Sequence, residues 1–245
     1  MAQPAAEARL DLQRLRKVCS SCSLAELCLP MGLNRQDLQR LDSIVQPTGP
    51  LHAGAHLYRV DTPFHALYAV RSGCLKTYIV DDTGREQVLG FHLPGELVGL
   101  DAIYPDRHQC NAMALDTVTV CALQYTDIAA LTLQVPSLQK QMFRLMSKDI
   151  VSSHALAGDF TAEERLAAFL MSLSRRLQLR GYSAAEFILA MTRRDIANYL
   201  RLATETVSRV FAKFQEDGLI AVERRDVRIL DLERLDSLCC SVPKI

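Results

Sequence analysis

The feature that most limits what this chain can fold into is a change of hydrophobic period near its middle. Between residues 56 and 123, short apolar runs recur: H-L-Y-R-V at 56–60, A-L-Y-A-V at 66–70, C-L-K-T-Y-I-V at 74–80 and T-V-T-V-C-A-L at 117–123. Arg71-Ser72-Gly73, Asp81-Asp82-Thr83-Gly84 and Leu93-Pro94-Gly95 separate them. These are turn residues, because glycine reaches positive φ, proline presets φ and aspartate bonds its own backbone. So many short strands predict an antiparallel barrel or sandwich. After Pro136 the pattern becomes helical, with Phe143, Met146, Ile150, Ser153, Ala157 and Phe160 at alternating steps of three and four, the spacing of a coiled-coil seam. One apolar stripe on a long helix asks for a second copy of the chain, or else for packing on the chain's own barrel.

The last third reads as short helices and a small hairpin. Thr161 with Glu164 three residues later has the form of a capping box. Thr192 caps a helix running through Leu200, and a second helix spans 204–216 and ends at Asp217-Gly218. Two helices joined by so brief a turn predict a helix-turn-helix. Strands at 219–224 and 227–231, joined through Arg225-Asp226, would form a basic wing. On the second helix Glu205, Ser208 and Arg209 share one face near the N-terminus, while Val207, Val210, Phe211 and Phe214 face the other way. Arginine can pair bidentately with guanine, glutamate can accept from cytosine and serine adapts, so this face can read a G·C pair in the major groove of double-stranded DNA. The plainer alternative is a solvated face carrying an i,i+4 ion pair. Charge favours DNA: the chain is neutral overall, but residues 175–228 hold eleven basic and seven acidic side chains, leaving +4 there and −4 elsewhere.

At 245 residues, 49% hydrophobic and 23% charged, the chain has the composition of an ordinary folded protein. No run approaches the roughly 18 to 20 apolar residues of a membrane span, and residues 1–30 are too charged for a signal peptide, so a cytoplasmic location without a membrane is expected. In reducing cytosol the eight cysteines are read as metal or redox groups before disulfides. Cys19-x2-Cys22-x5-Cys28 places three thiols on one short loop. A zinc ribbon would normally add a second C-x2-C pair; iron–sulfur clusters take uneven spacings with one remote ligand, so the pattern fits a cluster better than a structural zinc. Cys74, Cys110, Cys121, Cys239 and Cys240 all remain as the fourth ligand, with Cys110 and Cys121 the contenders. The six histidines show no metal-like spacing, and no catalytic constellation is present, so no enzyme is expected.

Together these residues resemble the FNR-type oxygen-responsive transcription regulators of the CRP/FNR family, over essentially the whole chain. The resemblance is carried by C-S-S-C-S-L-A-E-L-C at 19–28, G-F-H-L-P-G-E-L-V-G-L-D-A-I at 90–103, E-E-R-L-A-A-F-L at 163–170 and E-T-V-S-R at 205–209. It implies an α+β protein in four parts: a cysteine-rich segment at 1–35, a β-roll at 36–126 like the cyclic-nucleotide-binding roll, a dimerisation helix at 127–160 and a winged helix-turn-helix at 161–245. It implies a [4Fe-4S] cluster on Cys19, Cys22, Cys28 and Cys121, a homodimer, contact with RNA polymerase through surface loops including residues 81–86, and Glu205, Ser208 and Arg209 reading a palindromic TTGAT-type site. Two departures stand out. Nucleotide-binding members carry Arg-Ser where this chain has Asn111-Ala112, so no cyclic nucleotide is expected. The type member has an aspartate on the dimer helix where this chain has Ser153, which removes a repulsion across the seam and implies dimers that form more readily without the cluster.

Overall fold

The structure, a computed structural model, describes residues 19–154 and 158–239, with the backbone alone at 152–154. Its elements follow the expected change of period. After a 3₁₀ turn at Ala25–Leu27, helix α1 (Arg35–Ile44) starts where the Asn34 carboxamide accepts from the N–H groups of Gln36 and Asp37. Strands β1 (Val45–Leu51), β2 (His56–Tyr58), β3 (Ala66–Ser72), β4 (Leu75–Val80), β5 (Glu86–His92), β6 (Leu97–Val98), β7 (Asn111–Ala114) and β8 (Val118–Gln124) follow. They form two four-stranded sheets, in the orders β1-β8-β3-β6 and β2-β7-β4-β5. The turn into β4 requires glycine: a Cβ on Gly73 would lie 2.5 Å from both the Asp116 carboxylate and the Thr117 carbonyl.

The segment expected as one helix over 127–160 is two. Helix α2 (Tyr125–Gln134) ends at Val135, and α3 (Pro136–His154) begins on the proline, which fits a first helical turn but not a helix interior. One expected seam residue is corrected. Phe160 is not on α3; it precedes the cap of the next helix and packs against the C-terminal core. There Thr161 and Glu164 form the capping box, whose Ncap residue must leave helical geometry, so a continuous helix cannot run through it.

The C-terminal half comprises α4 (Ala162–Gln178), β9 (Glu186–Ile188), α5 (Arg193–Leu200), α6 (Thr204–Glu216), β10 (Ile220–Glu223), β11 (Asp226–Ile229) and α7 (Leu232–Leu238). The wing turn is Arg224-Arg225 rather than Arg225-Asp226, with Arg224 in the left-handed region and Glu223 paired to Asp226. β9 adds a third strand, giving the order β10-β11-β9. Leu166, Leu170, Ile196, Leu200, Val207 and Phe214 fill the core of this half, which runs without interruption into Tyr78, Val88 and Phe91 of the β4–β5 hairpin. Phe91 and Tyr199 rings lie 5.3 Å apart across that junction.

Candidate cluster site and nucleic-acid interface

Tight backbone turns curl residues 19–33 into a loop. The N–H of Cys22 donates to the Cys19 carbonyl at 3.1 Å, that of Ala25 to Cys22 at 3.2 Å and that of Met31 to Cys28 at 3.2 Å. Three other segments fix it. The Cys19 N–H donates to the buried Asp42 carboxylate of α1 at 2.6 Å. Leu24 and Leu27 lie over Gly95, whose φ of +90° and missing Cβ leave the space they use. From α3, the Gln141 amide donates to the Cys28 carbonyl at 3.1 Å.

The fourth thiol arrives by strand alternation. Along β8, Val118 and Val120 are fully buried in the roll while Cys121 points to the opposite face, toward the loop. Cys19, Cys22, Cys28 and Cys121 thereby line one cavity, together with Leu24, Leu29 and Leu41. Among the described residues no three His, Cys, Asp or Glu side chains are placed to hold a single metal ion, so the four thiols ring the cavity without converging on a point. Burial pushes the Cys19 thiol well up, with the Asp42 charge and the other three thiols adding to it; burial likewise pushes Cys28 up to about 12. Cys121 is raised by burial and opposed by the nearby Arg71. The other cysteines lie elsewhere: Cys110 is buried inside the roll with its thiol 3.4 Å from Asp101, Cys74 and Cys239 are buried in the core shared with the C-terminal half, and Cys240 lies outside the described residues. Asp42 and Gln141 were not singled out from the sequence, and Gly95 was legible there only as a turn residue. Gln141 had a signal there, as a polar residue at helical spacing among Leu138, Met142 and Leu145.

The second site is built on α5 and α6. Thr192 and Asp195 cap α5 reciprocally, and α5 closes at Arg201, whose left-handed φ of 56° turns the chain so that the Leu202 N–H bonds back to the Ala197 carbonyl at 2.9 Å. The Arg193 guanidinium sits 3.2 Å above the Phe211 ring and pins α5 on α6; burial holds Arg193 down to about 10. Val207, Val210, Phe211 and Phe214 face inward. Glu205, Ser208 and Arg209 are exposed on the outer face, and no side chain caps the first turn of α6, which leaves its N-terminus open to a phosphate. Arg201, Arg224, Arg225 and Arg228 are exposed on the turn before α6 and on the wing.

On α3, Phe143 and Ile150 are 61% and 57% exposed with Met146 half-buried between them, whereas Leu138, Gln141 and Met142 of the opposite face are buried. The Ser153 side chain and the whole of Ala157 lie outside the described residues. Asn111 and Ala112 are buried in β7; the Asn111 carboxamide accepts from the Val60 N–H at 3.2 Å and donates to the Tyr78 carbonyl at 3.4 Å. No helix among the described residues is long and apolar enough to cross a membrane.

Known proteins share both halves. Residues 49–134 match the cyclic nucleotide-binding domain family and residues 164–238 the Crp-like helix-turn-helix domain family. Over 223 residues the chain is 48% identical to the transcriptional activator protein Anr of Pseudomonas protegens, spanning 90% of this chain and 91% of that one. It is 42% identical to the fumarate and nitrate reduction regulatory protein of Salmonella typhimurium, spanning 90% and 89%. Among solved structures, FixK2 from Bradyrhizobium japonicum aligns with a TM-score of 0.74 at 25% identity, over 82% of this chain and 100% of that one.

Proposed function

Because this chain belongs to the CRP/FNR family of transcription regulators, within its Fnr- and Anr-type branch, we propose that it is a homodimeric regulator whose DNA binding follows the state of an oxygen-labile [4Fe-4S] cluster on Cys19, Cys22, Cys28 and Cys121. The observation that carries this reading is the single cavity lined by those four thiols, three from one loop and one from a strand nearly a hundred residues later. The donor set fits the group: all four are sulfur and the rest of the wall is mostly apolar, which shields iron–thiolate bonds from water. When bound, such a cluster would supply bonds joining the loop to β8 that are lost on exposure to oxygen. The chain's own residues do the rest. Asp42 and Gly95 seat the loop against α1 and the roll, Gln141 joins it to α3, and Phe143, Met146 and Ile150 offer the dimer seam.

Dimerisation would present two copies of α6, with Glu205, Ser208 and Arg209 reading the two halves of a TTGAT-type palindrome and the exposed wing arginines neutralising phosphates. In this reading the roll binds no cyclic nucleotide: Asn111 spends its amide on the backbone and Ala112 offers no group. Four parts divide the labour, at 1–35, 36–126, 127–160 and 161–245, with α3 the seam helix of the third. The decisive experiment is an anaerobic absorption spectrum of the reconstituted chain followed through air exposure. Broad visible absorbance that bleaches in air is expected. A colourless protein containing zinc would replace the cluster with a structural metal, and bleaching without any change in dimer content would separate the cluster from dimerisation.

A further inference from the structure

Helix α3 carries two faces with different jobs. Inward, Leu138, Gln141, Met142 and Leu145 follow the three-and-four spacing of a buried stripe, and Gln141 is the polar member, only 5% exposed. Its Nε2 donates to the Cys28 carbonyl at 3.1 Å and lies 3.7 Å from the Met31 sulfur. Outward, two residues on and about 200° around the helix, Phe143 is 61% exposed and begins the stripe that continues through Met146 to Ile150. A buried carboxamide needs a partner, because an orphaned donor in an apolar stripe loses its water and gains nothing in return. The partner here is supplied by the backbone of the residue that we read as a cluster ligand.

We propose that Gln141 is the positioning residue that transmits the state of the Cys28 segment to the dimer seam. With Cys28 held, its carbonyl satisfies Gln141 and the first turns of α3 are seated with Phe143 and Ile150 outward. With Cys28 released, the same buried amide loses its carbonyl acceptor and keeps only the weaker thioether contact with Met31, so the seating of those turns is disfavoured by the difference between the two. The inference rests on the cluster and dimer reading above. What it adds is a chemical link between the two, through one side chain that touches neither the metal nor the seam.

The test compares dimer association constants, by anaerobic sedimentation equilibrium, for cluster-loaded and cluster-free full-length chain. Gln141→Leu fits the apolar stripe and removes the donor; Gln141→Met keeps an unbranched chain of similar length and removes the donor as well. In both variants the anaerobic visible absorbance should be retained, while the ratio of loaded to cluster-free association constants falls about tenfold, the scale of one buried hydrogen bond left unmade. An unchanged ratio, whether both constants fall together or neither moves, would show a merely structural contact and overturn the proposal. Loss of absorbance in the variants would also overturn it, by placing Gln141 in ligation itself. A wild-type chain that forms no cluster, or forms one without any change in dimerisation, would instead remove the reading on which the inference stands.

Discussion

The choice between two cysteines of one roll turns on the direction of a single side chain. Cys110 and Cys121 are both within the β-roll, yet Cys110 points into the interior beside Tyr58 while Cys121, by the two-residue period of β8, points out to the loop of Cys19, Cys22 and Cys28. Cys121→Ala is therefore expected to abolish the visible absorbance of the anaerobically reconstituted chain, and Cys110→Ala to preserve it. The opposite result would reassign the fourth ligand. A second residue-scale expectation concerns Arg209, which is exposed on α6 and bonds within its own chain at 3.3 Å to the Thr206 hydroxyl. If it reads a guanine, Arg209→Ala should weaken binding to a TTGAT palindrome by about 1 to 3 kcal/mol and leave non-specific DNA binding nearly intact. Titrations of specific and scrambled duplexes at one salt concentration would show it, and an equal loss on both would make Arg209 a phosphate contact.

Elements were legible in the sequence wherever a local signal agreed with the packing. The reciprocal caps Thr161 with Glu164 and Thr192 with Asp195 fixed two helix starts before any contact was known, and the bounds of α6 were readable because its apolar face and its Asp217-Gly218 stop coincide. Strand β9 was missed: three residues of edge strand, Glu186 to Ile188, gain their order from pairing with β11, which no local pattern reports. The three loop cysteines were visible as a motif, but the spacing by itself left Cys110 and Cys121 open, because two non-adjacent segments meet only through tertiary folding. The stripe proposed as a dimer seam was half legible as a stripe. Phe143, Met146 and Ile150 share a stripe on α3, whereas Phe160, at the same spacing, belongs to the next domain's core because the capping box ends helical geometry before it. Ser153 continues the stripe one step past Ile150. In a parallel seam it would lie near its own twin, so Ser153→Asp should introduce a like-charge repulsion on the order of 1 kcal/mol at partly buried separations. Sedimentation of the cluster-free chain at micromolar concentration is expected to show dimer in the wild type and less of it in the variant. A clean monomer in the wild type would mean that a serine at this position does not release dimerisation from the cluster.

The β-roll and the helix-turn-helix half are joined by buried charge as well as by a shared core. Glu96 follows the Gly95 turn that lies under Leu24 and Leu27 of the cysteine loop, and both its oxygens face the C-terminal end of α4: Arg176 on its last turn reaches them at 2.6 and 3.0 Å, and Arg180 just past it reaches one at 2.7 Å. Arg180 also donates to the Pro94 carbonyl at 2.6 Å and Arg176 to the Phe91 carbonyl, so the whole 91–96 turn is gripped. Beside it Lys76 bonds Asp195 at 2.8 Å, and Asn198 accepts from the Val88 N–H at 2.5 Å. Burial alone would raise the Glu96 carboxyl, but the Arg176 guanidinium and then Arg180 hold it down to about 2. Arg176 grips both carboxylate oxygens and Arg180 only one, so Arg176 is the stronger partner. The sign follows from linkage: a carboxyl whose folded pKa lies below its ordinary 4.5 contributes its full stability above about 4.5 and loses it as pH falls toward 2. Glu96→Gln removes that contribution and leaves a buried guanidinium poorly compensated, a loss of roughly 3 kcal/mol at neutral pH. Denaturant unfolding of wild type and variant should show this gap at pH 7 and a much smaller one at pH 3, where wild-type Glu96 takes up nearly a whole proton on unfolding. If the gap were the same at both pH values, the two halves would be held by the apolar contact of Phe91, Phe169 and Tyr199, and the charges would contribute only orientation.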